Sequence, residues 1–151
     1  MIEKLADFFP FLMLTTVRAM IKKINQLFAQ NNIDLTGEQF AVLNILSPDF
    51  NLLPIDEGVS QQEIADFLEK DKSSVLRGLD ILERKNYIER RPKPKDRRVN
   101  LIFLTEKGKE ILVKARQVDL KFVSEVTARF DKRDFEGFKK VLQQISDACV
   151  G

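Results

Sequence analysis

The sequence predicts a mainly α fold with a small β wing, an α+β arrangement in which helices dominate at both ends. Two short amphipathic segments meet at Lys70-Asp71 through a connection so tight that the helices must cross steeply. The second leads straight into two strand-like runs, Tyr87–Arg91 and Val99–Leu104, joined by prolines and cations. Charge is concentrated there too: from Arg84 to Arg98 there are eight Lys or Arg and only two acids, Glu89 and Asp96. Of the totals of 25 basic and 23 acidic residues, 17 and 21 remain elsewhere, so the rest of the chain carries −4. The order helix, tight turn, helix, hairpin is that of a winged helix-turn-helix with N- and C-terminal dimerisation helices. The positive patch lies where such a module meets a polyanion.

A length of 151 residues suits one structural domain per subunit. Residues 1–34 are expected to form an N-terminal dimerisation region, 35–104 the winged lobe and 105–151 the C-terminal dimerisation helices. Twelve Phe against one Tyr and no Trp make a core-type aromatic set, which argues against base-stacking on single strands. The absence of His removes His-based triads and the common zinc sites, and no nucleophile–base or phosphate-loop pattern is present. The reading is therefore not an enzyme, with no cofactor and no metal. The lone Cys149 continues a helical stripe and reads as packing rather than chemistry. The apolar run Phe8–Val17 contains Pro10, is followed by Arg18, Lys22 and Lys23, and is too short to span a bilayer. No membrane association and a cytoplasmic location are expected.

Apolar residues at Leu12, Val17, Met20, Ile24 and Phe28 predict a helix over Phe11–Gln30, with Pro10 near its first turn and Asn31-Asn32 at its end. Thr36 with Gln39 forms a capping box, Leu35 and Phe40 a hydrophobic staple, and Phe40, Leu43 and Leu46 the buried stripe up to Ser47. Pro48–Gly58 reads as a loop, with room for a short extended piece at Leu52–Ile55. Ser60 with Glu63 repeats the capping box, ahead of Ile64, Phe67 and Leu68 as buried positions and a stop at Lys70. Asp71 is the next N-cap, and Val75, Leu79 and Leu82 form the inner side of the helix that follows. A long helix begins at Thr105 with Ile111, Ala115, Val118, Phe122 and Val126 in register. A final one begins at Asp131 and buries Phe135, Phe138, Leu142 and Ile145. The end helices hold more apolar surface than one small lobe covers, which points to self-association.

The candidate contacts to double-stranded DNA follow from this layout. Ser73, Ser74, Arg77 and Arg84 leave the inner stripe of the second short helix, and arginine reads guanine through two hydrogen bonds. Lys93, Lys95, Arg97 and Arg98 sit on the stiffened loop, where cations release counterions from phosphate and an arginine suits a narrow minor groove. Asp96 repels phosphate, so its expected role is to brace Arg98 or Arg97 through a charge-assisted hydrogen bond. Ser60 and Gln61 lie at a helix N-terminus and are candidates for a phosphate contact. An ordinary solvated hairpin and plain capping are the alternatives at these positions.

Three segments together resemble the MarR family of transcription regulators: LTGEQFAVLNIL at Leu35–Leu46, SQQEIADFLEKDKSSVLRGLDILERKNYIERR at Ser60–Arg91, and PKPKDRRVNLIFLTEKGKE at Pro92–Glu110. The resemblance implies a homodimer joined through its terminal helices. It equates Arg77 with a recognition-helix arginine and Asp96 with Arg98 as the wing pair. It also implies response to a small, often aromatic molecule, so a hydrophobic, phenolic or anionic effector is an expected partner, its binding residues unknown. The loop Pro48–Gly58 is longer than the family pattern. Cys149 stands far from the position of the family's oxidant-sensing cysteines. The function expected is a sequence-specific, ligand-responsive repressor acting as a homodimer on a pseudo-palindromic operator. The alternative is a winged-helix interaction or assembly module without sequence-specific DNA binding.

Overall fold

The computed structural model describes residues 2–50, 52–53 and 58–150. The chain runs through α1 (Ile2–Gln30), α2 (Gly37–Ile45), a 3-10 turn (Pro48–Phe50), β1 (Val59–Ser60), α3 (Gln61–Leu68) and α4 (Lys72–Arg84). It continues through β2 (Ile88–Lys93), β3 (Asp96–Leu104), α5 (Glu106–Thr127) and α6 (Lys132–Val150). Two compact units divide within α5, between Arg116 and Gln117, so α1 belongs to the same unit as the winged lobe. No described helix is long and apolar enough to cross a membrane.

The first helix begins well before Phe11, and Pro10 lies inside it rather than in its first turn. A proline removes one N–H and crowds the carbonyl four residues back. A helix of 29 residues keeps its bonds on both sides of that point and bears the local loss. The chain leaves α1 through left-handed Asn32 (φ 55°), and the Ile33 N–H donates to the Phe28 carbonyl at 2.9 Å.

Both capping boxes form as the sequence predicts: Thr36 with Gln39 at α2, and Ser60 with Glu63 at α3. The α3 helix ends at Leu68 and turns through left-handed Glu69, leaving Asp71 to cap α4. Fully buried Phe28, Leu43, Ile64, Leu79, Leu82, Ile88 and Ile102 make the core of the first unit. Phe40 meets Phe28 edge to face at 5.4 Å. On α3 the expectation for Phe67 fails: it is 43% exposed, and Ala65 is buried instead. On α5 the buried positions are Gly108, Leu112 and Ala115, with Ile111 half-buried beside them.

In the second unit Asp131 caps α6 by accepting the Arg133 N–H at 2.7 Å. No described α6 residue is buried, and Phe138, expected inside, is 53% exposed. Phe135, Leu142 and Ile145 of the same stripe are half-buried.

The sheet has the order β1-β3-β2 and is antiparallel throughout. β1 is an addition to the sequence reading; two residues, Val59 and Ser60, pair with Ile102 and Leu101 and are too few to show alternation. The extended piece expected at Leu52–Ile55 lies partly outside the described residues, and Leu52 and Leu53 are not in a strand. Both wing strands are longer than predicted, which reduces the intervening loop to the turn Pro94-Lys95. Pro92 enters β2 because β2 is an edge strand and the register shifts beside it, from Pro92↔Asn100 to Lys93↔Asp96. A missing N–H costs least at an edge or a bulge.

The lobe is closed where α5 meets the end of α4. Thr105 donates its N–H to the Tyr87 carbonyl at 3.1 Å, and its hydroxyl to the Asn86 carbonyl at 2.7 Å. That hydroxyl also caps α5 by accepting the Gly108 N–H at 2.9 Å. A Cβ on Gly108 would stand 1.9 Å from the Tyr87 oxygen, so only glycine allows this approach. Gly108→Ala is expected to destabilise the chain by on the order of 3 kcal/mol. Urea titration of both proteins checks it; an unshifted midpoint contradicts the close approach.

Candidate nucleic-acid interface

The N-terminus of α4 is set by one carboxylate. Asp71 accepts the Ser74 N–H at 2.8 Å and the Ser74 hydroxyl at 2.7 Å, and Arg77 donates to the same hydroxyl at 3.1 Å. The relay orders Arg77 along the helix surface. It also occupies the half-buried Ser74, leaving Ser73 as the serine with a free outer position. Hydrogen bonds from the Ser74 hydroxyl, then from its backbone N–H, hold the Asp71 carboxyl below its ordinary value. Val75, Leu79 and Leu82 are buried, and Ser73, Arg77 and Arg84 are exposed. This amphipathic split comes directly from helical spacing. The Arg84 Nε reaches back to the Asp80 carbonyl at 3.4 Å.

Ser60 and Gln61 are half-buried and internally engaged. The Ser60 hydroxyl accepts the Glu63 N–H at 3.2 Å, and the Ser60 N–H donates to the Glu63 carboxylate at 2.7 Å. Gln61 donates to the Lys72 carbonyl at 3.3 Å, linking the starts of α3 and α4.

Lys93, Lys95, Arg97 and Arg98 are all exposed at the hairpin end. The register shift leaves Arg97, Arg98 and Val99 without cross-strand partners. Asp96 accepts the backbone N–H of Arg98 at 3.2 Å. The bond expected at a guanidinium is thus found at the main chain: Asp96 shapes the backbone around the bulge and leaves both guanidinium groups outward. A carboxylate two residues before a backbone N–H reaches it with little ordering of side chains, whereas an arginine must be immobilised along its length.

A residue that the sequence reading passed over links the two halves of the site. Arg90 of β2 donates to Asp80 at 2.7 Å and pairs with Glu83, both on α4, and its side chain is only 16% exposed. Asp80 is therefore half of a carboxylate pair that receives the wing. The available signal was parity. Arg90 shares strand phase with buried Ile88, and an inward cation needs opposite charge, which acids at i and i+3 on the preceding helix supply. Arg91, in the other phase, pairs with Glu89 and lies over the Phe103 ring at 4.7 Å.

Comparisons with known proteins bear on the fold and the family. Residues 53–99 match the family model described as MarR family. The HTH-type transcriptional regulator YdcH of Bacillus subtilis (strain 168) is 29% identical over 135 residues, 89% of this chain and 87% of that one. YdgJ of the same organism, also an HTH-type transcriptional regulator, is 33% identical over 70 residues, covering 46% of this chain and 43% of that relative. The fold matches that of MepR in the crystal structure of the S. aureus MepR–DNA complex with a TM-score of 0.79 at 24% identity, covering 92% of this chain and 96% of that one.

The capped start of α4 carries a pH dependence. A lowered carboxyl contributes stability that is complete above its unfolded value, near about pH 4, and is lost as pH falls through the folded value. Asp71→Asn keeps an acceptor and removes the titration. The stability of wild type relative to this variant is expected to hold steady down to about pH 4 and to fall below it. Urea midpoints across that range decide it, and a difference unchanged at about pH 3 contradicts the assignment.

Proposed function

We propose that this chain is a winged-helix regulator of the MarR family, whose model its residues 53–99 match, and that it is a sequence-specific, double-stranded DNA-binding repressor. It acts as a homodimer on a pseudo-palindromic operator. The observation that carries the reading is the arrangement of α4 and the hairpin. A donor-bearing helix face (Ser73, Arg77, Arg84) and a hairpin end with four exposed cations belong to one lobe, tied by Arg90. MepR, with the same fold, is a DNA complex in its crystal structure. Ser73 and Arg77 meet base edges in the major groove, Lys93 and Lys95 meet phosphate, and Arg97 and Arg98 enter the flanking minor groove. Ser60 and Gln61 approach a phosphate at the start of α3, and Ser74 serves chiefly to hold Arg77.

Pairing of two copies accounts for the uncovered apolar side chains. Phe8, Phe11 and Leu12 of α1 are 63%, 58% and 56% exposed in the single chain, and Phe138 of α6 is exposed as well. Two-fold symmetry spaces the reading helices about one turn, ~34 Å, apart on the duplex. A hydrophobic, phenolic or anionic effector remains part of the proposal. Its test is a shift of melting temperature and operator affinity on addition of such compounds, since a ligand of the folded state stabilises it by mass action. An assembly module without DNA specificity is the competing reading. A steep fall of duplex affinity with salt supports the regulator, and salt-insensitive binding to a protein supports the module.

On a duplex selected from a random pool, Arg77→Ala is expected to cost on the order of 1–3 kcal/mol and to relax one base position. A uniform loss over all sequences would make Arg77 a phosphate contact. Arg98→Ala is expected to weaken the same duplex while sedimentation still shows a dimer. Unchanged affinity at physiological salt removes the hairpin from the interface.

A further inference from the structure

Among the ion pairs of the described residues, that of Arg90 differs in kind. Its side chain is 16% exposed, it engages two carboxylates at once, and those carboxylates lie on a different element. Asp80 and Glu83 are spaced i, i+3 and present their oxygens together to one planar fork, a geometry that arginine satisfies and lysine does not. Arg90 faces Ile102 of the central strand β3, two residues from buried Ile88, so its backbone is held by the sheet. The hairpin beyond it is otherwise exposed on every residue from Arg91 to Arg98. A two-stranded ribbon free at its tip bends and twists readily.

We propose that Arg90 is a positioning residue for DNA recognition. By clamping β2 to the Asp80–Glu83 pair it fixes the angle between α4 and the hairpin, so that Arg77 and Arg98 reach one duplex in the same register. The inference rests on the regulator reading above and adds to it a residue that touches no nucleotide. A long hairpin converts a small rotation at its base into a large displacement at its tip, which places the control point at Arg90. The two acids have a second consequence. Without the guanidinium, they would present uncompensated negative charge on the helix that enters the groove.

Affinity for the pool-selected duplex, measured for Arg90→Gln, Arg98→Ala and the double variant, tests the proposal. Arg90→Gln is expected to weaken binding about tenfold or more, with Arg90→Lys recovering part of the loss. The Arg98→Ala penalty is expected to shrink toward none in the Arg90→Gln background, because a misaligned hairpin no longer delivers Arg98. Wild-type affinity in Arg90→Gln overturns the proposal. Penalties that multiply independently also overturn it, since the hairpin is then engaged without the clamp. So does full recovery in Asp80→Asn/Glu83→Gln/Arg90→Gln, which would reduce the effect to charge alone. Should Arg90→Gln fail to fold, Asp80→Asn and Glu83→Gln, each removing one arm, replace it in the same cycle. Failure of wild type to bind any duplex would sink the regulator reading itself and is separable from all of these results.

Discussion

Three consecutive backbone carbonyls, those of Lys85, Asn86 and Tyr87, hold the architecture together. Each accepts a hydrogen bond from the start of α5: Lys107 Nζ at 2.9 Å, the Thr105 hydroxyl at 2.7 Å and the Thr105 N–H at 3.1 Å. The same residues close α4, where Asn86 is left-handed (φ 61°) and the Tyr87 N–H returns to the Leu82 carbonyl at 3.0 Å. They also launch β2. Helix α4, the wing and the start of α5 therefore share one knot of hydrogen bonds. Backbone groups at such a place are costly to leave unpaired, so the sequence supplies a partner for each and a glycine where the chains nearly touch.

Electrostatics divides the lobe into a braced interior and a free rim. Lys85 is tied to Asp34 and Gln39, Lys70 to Glu38 and Arg90 to Asp80 and Glu83; these cations orient elements. Arg116 does the same for the 3-10 turn, pairing with Asp49, bonding Asn44 at 2.9 Å and lying over Phe50 at 4.6 Å. Lys93, Lys95, Arg97 and Arg98, by contrast, lie on the exposed hairpin rim. Exposed surface pairs add little stability, so cations left exposed there are available to a polyanion at small cost to the fold.

How much of this was legible in the sequence depended on how local the signal was. Capping boxes at Thr36 and Ser60 and the Asp71 cap were readable because they join residues three apart, as was the inner face of α4. The start of α1 was not, because a proline usually marks a helix beginning and the tolerance of an interior one depends on the whole helix. The two-residue β1 has no periodicity to read; it exists through pairing with β3, just over forty positions away. At the site, residue types and the exposed cation cluster were visible. Their partners were not: Asp96 bonding backbone rather than guanidinium, Ser74 spent on the cap relay, and above all Arg90 reaching across to α4. Long-range pairs of opposite charge have many candidate matings in a chain with 32% charged residues, and only the fold selects among them.

Hydroxyl-radical footprinting of the pool-selected duplex tests the central claim, that helix and hairpin meet DNA as one oriented unit. Two symmetric footprints are predicted, each joining a major-groove face to protection of the adjoining minor groove on its outer side. Protection confined to a single groove, or spread evenly along the duplex without symmetry, would contradict it.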